Sequence, residues 1–261
     1  MQTQTAERSP AKDTAGALRI VGYLGAAAFV IAAAWFGLAT RGVTVARAPE
    51  AGPDATPLQV MRGYYRWQVT TLPQERLYTS IAIAGFLCLA VAAVYLRDLL
   101  GRDRAPSGIG ALLVGAGAVA WISGAVLELG GHRAVGLMAT HANPIQATNS
   151  IAFTIDTIGD AFALAAFVLI GAGMLAFAGA ALQQRPGHRA WAGYTIVIAL
   201  AMLVTAGAYA AGVGGLSDLM LFADGVVLVP LWLIWTGRAG GFHPERASAR
   251  PGAVARARAS S

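Results

Sequence analysis

Of 261 residues, 56% are apolar and only 12% are charged, about half the charged share of a soluble domain, and the mean hydropathy is +0.58. That balance argues against a water-soluble fold. The net charge of +6 comes from 18 Arg and one Lys that fall between long apolar runs, which assigns the basic bias to membrane flanks rather than to nucleic acid. A single cysteine, Cys88, excludes an intramolecular disulfide, a Cys-type zinc site and a CxxC redox pair.

Residues 1–16 are polar and mixed in charge and are expected to be disordered. A helix needs about 20 apolar residues to cross a hydrocarbon layer some 30 Å thick. The first uncharged run, between Arg19 and Arg41, has 21 residues. Ala46-Arg47-Ala48 has the small-residue look of a cleavage site, but the apolar run is too long for a signal peptide and Arg residues precede any cut, so the first span is expected to be retained. An external loop is expected over 40–76. Inside it Leu58, Met61, Tyr65, Val69 and Leu72 recur at helical spacing, which predicts a short helix over 58–72 that lies on the bilayer, caps the bundle, or acts as a lid.

Four further runs follow: 20 residues between Arg76 and Arg97, 23 between Arg104 and Glu128, 24 between Asp160 and Arg185, and 28 between Arg189 and Asp218. The sixth, Leu219 to Gly237, contains Asp224 and Pro230, yet Trp232 and Trp235 stand where interfacial aromatic anchors are expected. The runs do not alternate with period two, so a β-barrel is not indicated. Small residues such as Ala111 with Gly115, and Ala172, Ala176 and Ala180, predict faces where helices pack closely. The tail from 239 to 261 is basic and expected to be disordered.

The expected fold is thus all-α, a polytopic transmembrane helix bundle of about six spans over residues 17–238. Thirteen Lys and Arg fall on the side of the termini and six on the other. By the positive-inside rule both termini are cytoplasmic.

Several chemistries lack their residues. There is no GxxxxGK[ST] loop, no Lys in any span for Schiff-base chemistry, and Trp121 stands two residues before Ser123-Gly124 where an intramembrane serine protease has Gly. None of His132, His141, His188 and His243 falls clearly inside a span, which argues against a helix-borne haem pair. What remains is polar residues on the outer side: Glu128 at the end of the third span, Asp160 at the start of the fourth, and Asp224 about seven residues into the sixth. Glu128 and His132 are four apart, as are Asp156 and Asp160, and Gln146 and Asn149 extend the second stripe backward, so each set shares a helical face if the helix runs through Gly130-Gly131. These groups either cap helix ends, form an ion or metal site from Glu128, His132, Asp156, Asp160 and Asp224, or line a proton-sensing or polar-ligand cavity. Asp224 is expected to face the bundle interior or a wet outer cavity rather than lipid, with a polar partner from the third or fourth span, because a buried carboxylate persists only when paired, solvated or protonated.

Ile158-Gly159 with the span after it, the turn Gln183-Gln184-Arg185-Pro186-Gly187-His188-Arg189-Ala190-Trp191, and the closing Pro230-Leu231-Trp232-Leu233-Ile234-Trp235-Thr236-Gly237-Arg238 resemble multi-span bacterial membrane proteins of unknown function with six predicted helices and a long third loop. The resemblance implies a bacterial cytoplasmic membrane and no activity. With no catalytic motif and no cofactor indicated, the expected role is a binding, sensing or accessory subunit, whose partners are the lipid bilayer and another membrane protein or a second copy. The alternatives are a small secondary transporter or ion-conducting protein using the acidic residues, and a membrane enzyme acting on lipid or quinone.

Overall fold

The structure, a computed structural model, describes residues 10–40, 56–140, 145–184 and 188–238. Among these the secondary structure is helical throughout: α1 Pro10–Thr40, α2 Pro57–Gly101, α3 Ala105–Thr140, α4 Ile145–Leu182, α5 Arg189–Ala210, α6 Gly214–Ala223, a π-helical turn Asp224–Leu228, and α7 Val229–Arg238. Six helical stretches are long and apolar enough to cross a membrane, the sixth being the end of α6, the π turn and α7 in succession.

Each helix packs against the next in sequence, and α7 returns to α1, so the six stretches close into a ring. The closest pairing is α3 with α4. Its cause is a ladder of small residues seven apart: a Cβ added at Gly110, Gly117, Gly124 or Gly131 would meet α4 within 3.0 Å, at Phe177, Ile170, Phe162 and Ile155 in turn. On α4, Gly159 and Gly173 meet α3 in the same way, and the Ala166 carbonyl lies beneath Gly117. Without side chains between them the two backbones approach closely, which favours dispersion and weak Cα–H contacts between them. The expected stripe at Ala111 and Gly115 is not this contact, since nothing lies within 4 Å of a Cβ built at Gly115.

Three expectations about the loops need correction. The helix over 58–72 is not a separate interfacial element but the beginning of α2, which starts at a capping box formed by Thr56 and Gln59 with Pro57 in the first turn. It then runs through Pro73 without a break. Helix α1 already begins at Pro10, inside the stretch expected to be disordered; residues 1–9, 41–55 and the tail 239–261 lie outside the described residues. The third loop is short: α3 runs through Gly130-Gly131 to Thr140, and α4 starts at Ile145, which carries His132 into a span.

Tyr78 of α2 lies beside Phe36 of α1, and Tyr209 of α5 bonds Asp160 of α4. Helices α2 and α4 therefore continue well past the ends of α1 and α5, by roughly 20 Å at 1.5 Å per residue. In this projecting part the Tyr65 hydroxyl donates to Asn149 Oδ1 at 2.5 Å, and the Asn149 amide reaches Met61 Sδ at 3.3 Å. At the opposite end Gln184 donates to the Leu100 carbonyl, and α2 stops at Gly101, whose φ of +104° suits glycine alone. Two reciprocal bonds tie α5 to α7: Trp191 Nε1 donates to Thr236 at 3.1 Å and Trp232 Nε1 to Thr195 at 3.0 Å.

Candidate functional site

The ring surrounds a half-open cavity of about 370 Å³, within the ~300–1,000 Å³ usual for small-molecule sites. Its wall is mostly apolar and aromatic. Phe86 of α2 and Trp121 of α3 stack with centroids 4.2 Å apart and planes 17° from parallel, and Phe29 of α1 meets Phe86 edge-on at 5.0 Å. Three carboxylates interrupt this lining, Glu75, Glu128 and Asp224.

Asp224 reaches the cavity because of the π turn. Pro230 has no N–H to give the Val226 carbonyl, and its ring would clash with that carbonyl in a regular α-helix. The chain answers with one wider turn, in which the Val229 N–H bonds the Asp224 carbonyl five residues back. On an α-helix residues five apart point about 140° away from each other. The wider turn brings them to one side, and Asp224 and Val229 both line the cavity.

Asp224 is 3% exposed. Its Oδ2 lies 2.9 Å from the Thr205 hydroxyl on α5, while Oδ1 is buried without a hydrogen-bond partner among the described residues. The inward placement is as expected, but the partner comes from the fifth span and not from the third or fourth. Thr205 Oγ1 is also 2.9 Å from the Ala201 carbonyl. A hydroxyl has one proton, so the two contacts define two patterns. With Asp224 ionised, Thr205 donates to the carboxylate. With Asp224 protonated, the acid donates to Thr205, which turns its own proton to Ala201. Either charge state leaves Oδ2 satisfied.

The other expected site residues separate into two groups. His132 does not pair with Glu128 on its own helix; it bridges the neighbouring helices, with Nδ1 2.8 Å from Glu75 Oε1 on α2 and Nε2 3.2 Å from Asp156 Oδ1 on α4. Both nitrogens face carboxylate oxygens, and an imidazole donates to both only as the imidazolium. Asp160, exposed at the rim, accepts the Tyr209 hydroxyl at 2.5 Å. Glu128 stays on the cavity wall, its side chain laid over Gly159, where any Cβ would collide with it. The Gln146 side chain lies outside the described residues, and Asn149 serves the α2–α4 contact. The five acidic and imidazole residues expected as one ion site are therefore spread over cavity, bridge and rim. Among the described residues, no group of three or more His, Cys, Asp or Glu could hold a metal ion.

Glu75, Thr205 and Tyr209 were not foreseen. Glu75 sits between Pro73 and Arg76, residues that mark a loop in a sequence, and only the continuity of α2 turns it inward. No protein-family model matches the chain, and no curated protein or solved structure is significantly similar to it.

Proposed function

We propose that the chain is a multi-pass protein of a bacterial cytoplasmic membrane, with both termini on the cytoplasmic side, that binds a small, largely apolar molecule in its central cavity as a binding or sensing protein. The observation that carries the reading is the cavity itself: about 370 Å³, aromatic in lining, with its acidic groups on the wall and at the bundle end away from the termini. Membrane insertion is supported by the apolar side chains on the outside of the ring. On α3, Ile109, Leu112, Val119 and Val126 face outward, with Leu112 71% exposed, a surface that water would not tolerate on a monomer of this size. The orientation rests on the thirteen-to-six distribution of Lys and Arg.

The test is fluorescence titration of protein reconstituted in nanodiscs with 2-phenylethanol, a small aromatic probe. Saturable change that disappears in Trp121→Phe, and saturable binding that is lost in Ala82→Phe by calorimetry, are the expected results; no saturation in the wild type contradicts the reading. A second reading, proton-coupled transport, is favoured by one observation only, the Asp224–Thr205–Ala201 arrangement that accommodates both protonation states. Proton-dependent flux in proteoliposomes, abolished by Asp224→Asn, would establish it.

A further inference from the structure

The chemistry of the cavity wall is one-sided. None of its lining residues among those described is Lys or Arg, and its three ionisable groups other than tyrosine are all carboxylic acids. At the rim Glu75 already answers His132. Asp224, 3% exposed, keeps one oxygen, Oδ1, buried with no hydrogen-bond partner among the described residues. An unanswered carboxylate oxygen in an apolar site costs free energy that a donor from a ligand would recover. An anionic ligand would meet three acids and no base. Around the same space stand Phe29, Phe86, Trp121 and Phe167, rings whose negative faces stabilise a desolvated cation.

From this we propose that the molecule bound in the cavity is an amphipathic organic cation, an ammonium group on an apolar or aromatic body, with the N–H donating to Asp224 Oδ1. The inference rests on the cavity-binding reading and deepens it. The body lies against the Phe86–Trp121 stack, and the ammonium meets Oδ1, which is itself closed off, once the Asp224 side chain turns toward the cavity that it lines. Glu128, on the wall between rim and Asp224, adds to the negative potential that a cation meets on entry. The π turn is the device that makes the site: it sets Asp224 and Val229 on one side, a polar contact beside an apolar one.

The experiment compares 2-phenylethylammonium with 2-phenylethanol, which share a body and differ in charge, by calorimetric titration of the full chain in nanodiscs at pH 7. The wild type is expected to bind the ammonium at least about tenfold more tightly than the alcohol, and Asp224→Asn to bring the two within about threefold through weaker binding of the ammonium, as loss of one charge-assisted bond requires. Equal affinities in the wild type, or a preference that survives Asp224→Asn, overturn the cationic ligand while the alcohol's saturable binding leaves the cavity reading standing. If neither compound binds the wild type, the cavity reading fails and takes this inference with it. Should Asp224→Asn fail to fold, labelling of wild-type Asp224 by dicyclohexylcarbodiimide, mapped by mass spectrometry, decides the place: protection by the ammonium and not by the alcohol supports it, and protection by neither overturns it.

Discussion

Thr205 is the side chain on which the buried acid depends. Its hydroxyl is the one hydrogen-bond partner of the Asp224 carboxylate among the described residues, and Thr205→Val keeps the shape while removing it. A buried oxygen left unpaired costs about 1–3 kcal/mol, so Thr205→Val is expected to lower the thermal midpoint and Thr205→Ser to restore most of it. Equal midpoints for Thr205→Val and wild type would show that Asp224 does not lean on α5. At His132 the same logic applies across three helices. His132→Ala leaves Glu75 half-buried beside the cavity with its partner gone, and a loss of about 1–3 kcal/mol is expected, smaller when Glu75→Gln is present in the same chain. Denaturation of the two single variants and the double variant in one detergent measures the coupling. Of these residues, Asp224 and His132 stood out in the sequence because a charge in or near an apolar run demands a reason. Thr205 and Tyr209 did not, since a lone hydroxyl on a span advertises nothing until its neighbour is known.

At the scale of the helix, two features decide the architecture. The first is the α3–α4 glycine ladder. Gly117→Leu places a side chain where the Ala166 carbonyl and Ile170 already sit, and overpacking of this kind costs about 1–3 kcal/mol or more, whereas Gly115→Leu enters open space and is expected to be neutral. Thermal unfolding of the pair, side by side, separates a packing face from a lipid face; similar losses in both would deny the ladder. The repeat was present in the sequence at period seven, Gly110, Gly117, Gly124 and Gly131, but small residues are so abundant in these spans that four-residue spacings such as Ala172, Ala176 and Ala180 compete with it. Only the facing helix shows which stripe is used. The second feature is the π turn. Pro230→Ala returns the N–H that Val226 lacks and permits a regular helix, in which Asp224 turns away from Val229; this variant is expected to weaken 2-phenylethylammonium at least as much as Asp224→Asn does, and unchanged affinity would separate the turn from the site. Proline at 230 was visible as an anomaly in an apolar run, whereas the wider turn it produces, and the direction in which that turn sends Asp224, follow from three-dimensional fit.

For the whole molecule, number and class of helices were readable because long uncharged runs admit one solution in lipid. The connections were not, because Pro73, Glu75, Arg76 and Gly130-Gly131 have the local chemistry of loops, yet α2 and α3 continue through them. That difference matters for function: it lifts His132 into a span, brings Glu75 against it, and closes the wall of the cavity. The proposed orientation predicts that a phosphatase fusion after Ser261 is inactive and a fluorescent fusion there is bright, since Arg238 and the tail after it carry five Arg. The reverse pair of results would invert the bundle and open the cavity to the cytoplasm.

A ligand cavity that ends on Asp224 can be seen in an electron cryomicroscopy map of the protein purified in its native lipids. Non-protein density is expected between the Phe86–Trp121 stack and Asp224, with one end within hydrogen-bond distance of Oδ1 and Thr205 on Oδ2. A map in which the aromatic side chains have collapsed into that space, or in which Asp224 points outward into lipid, would contradict it.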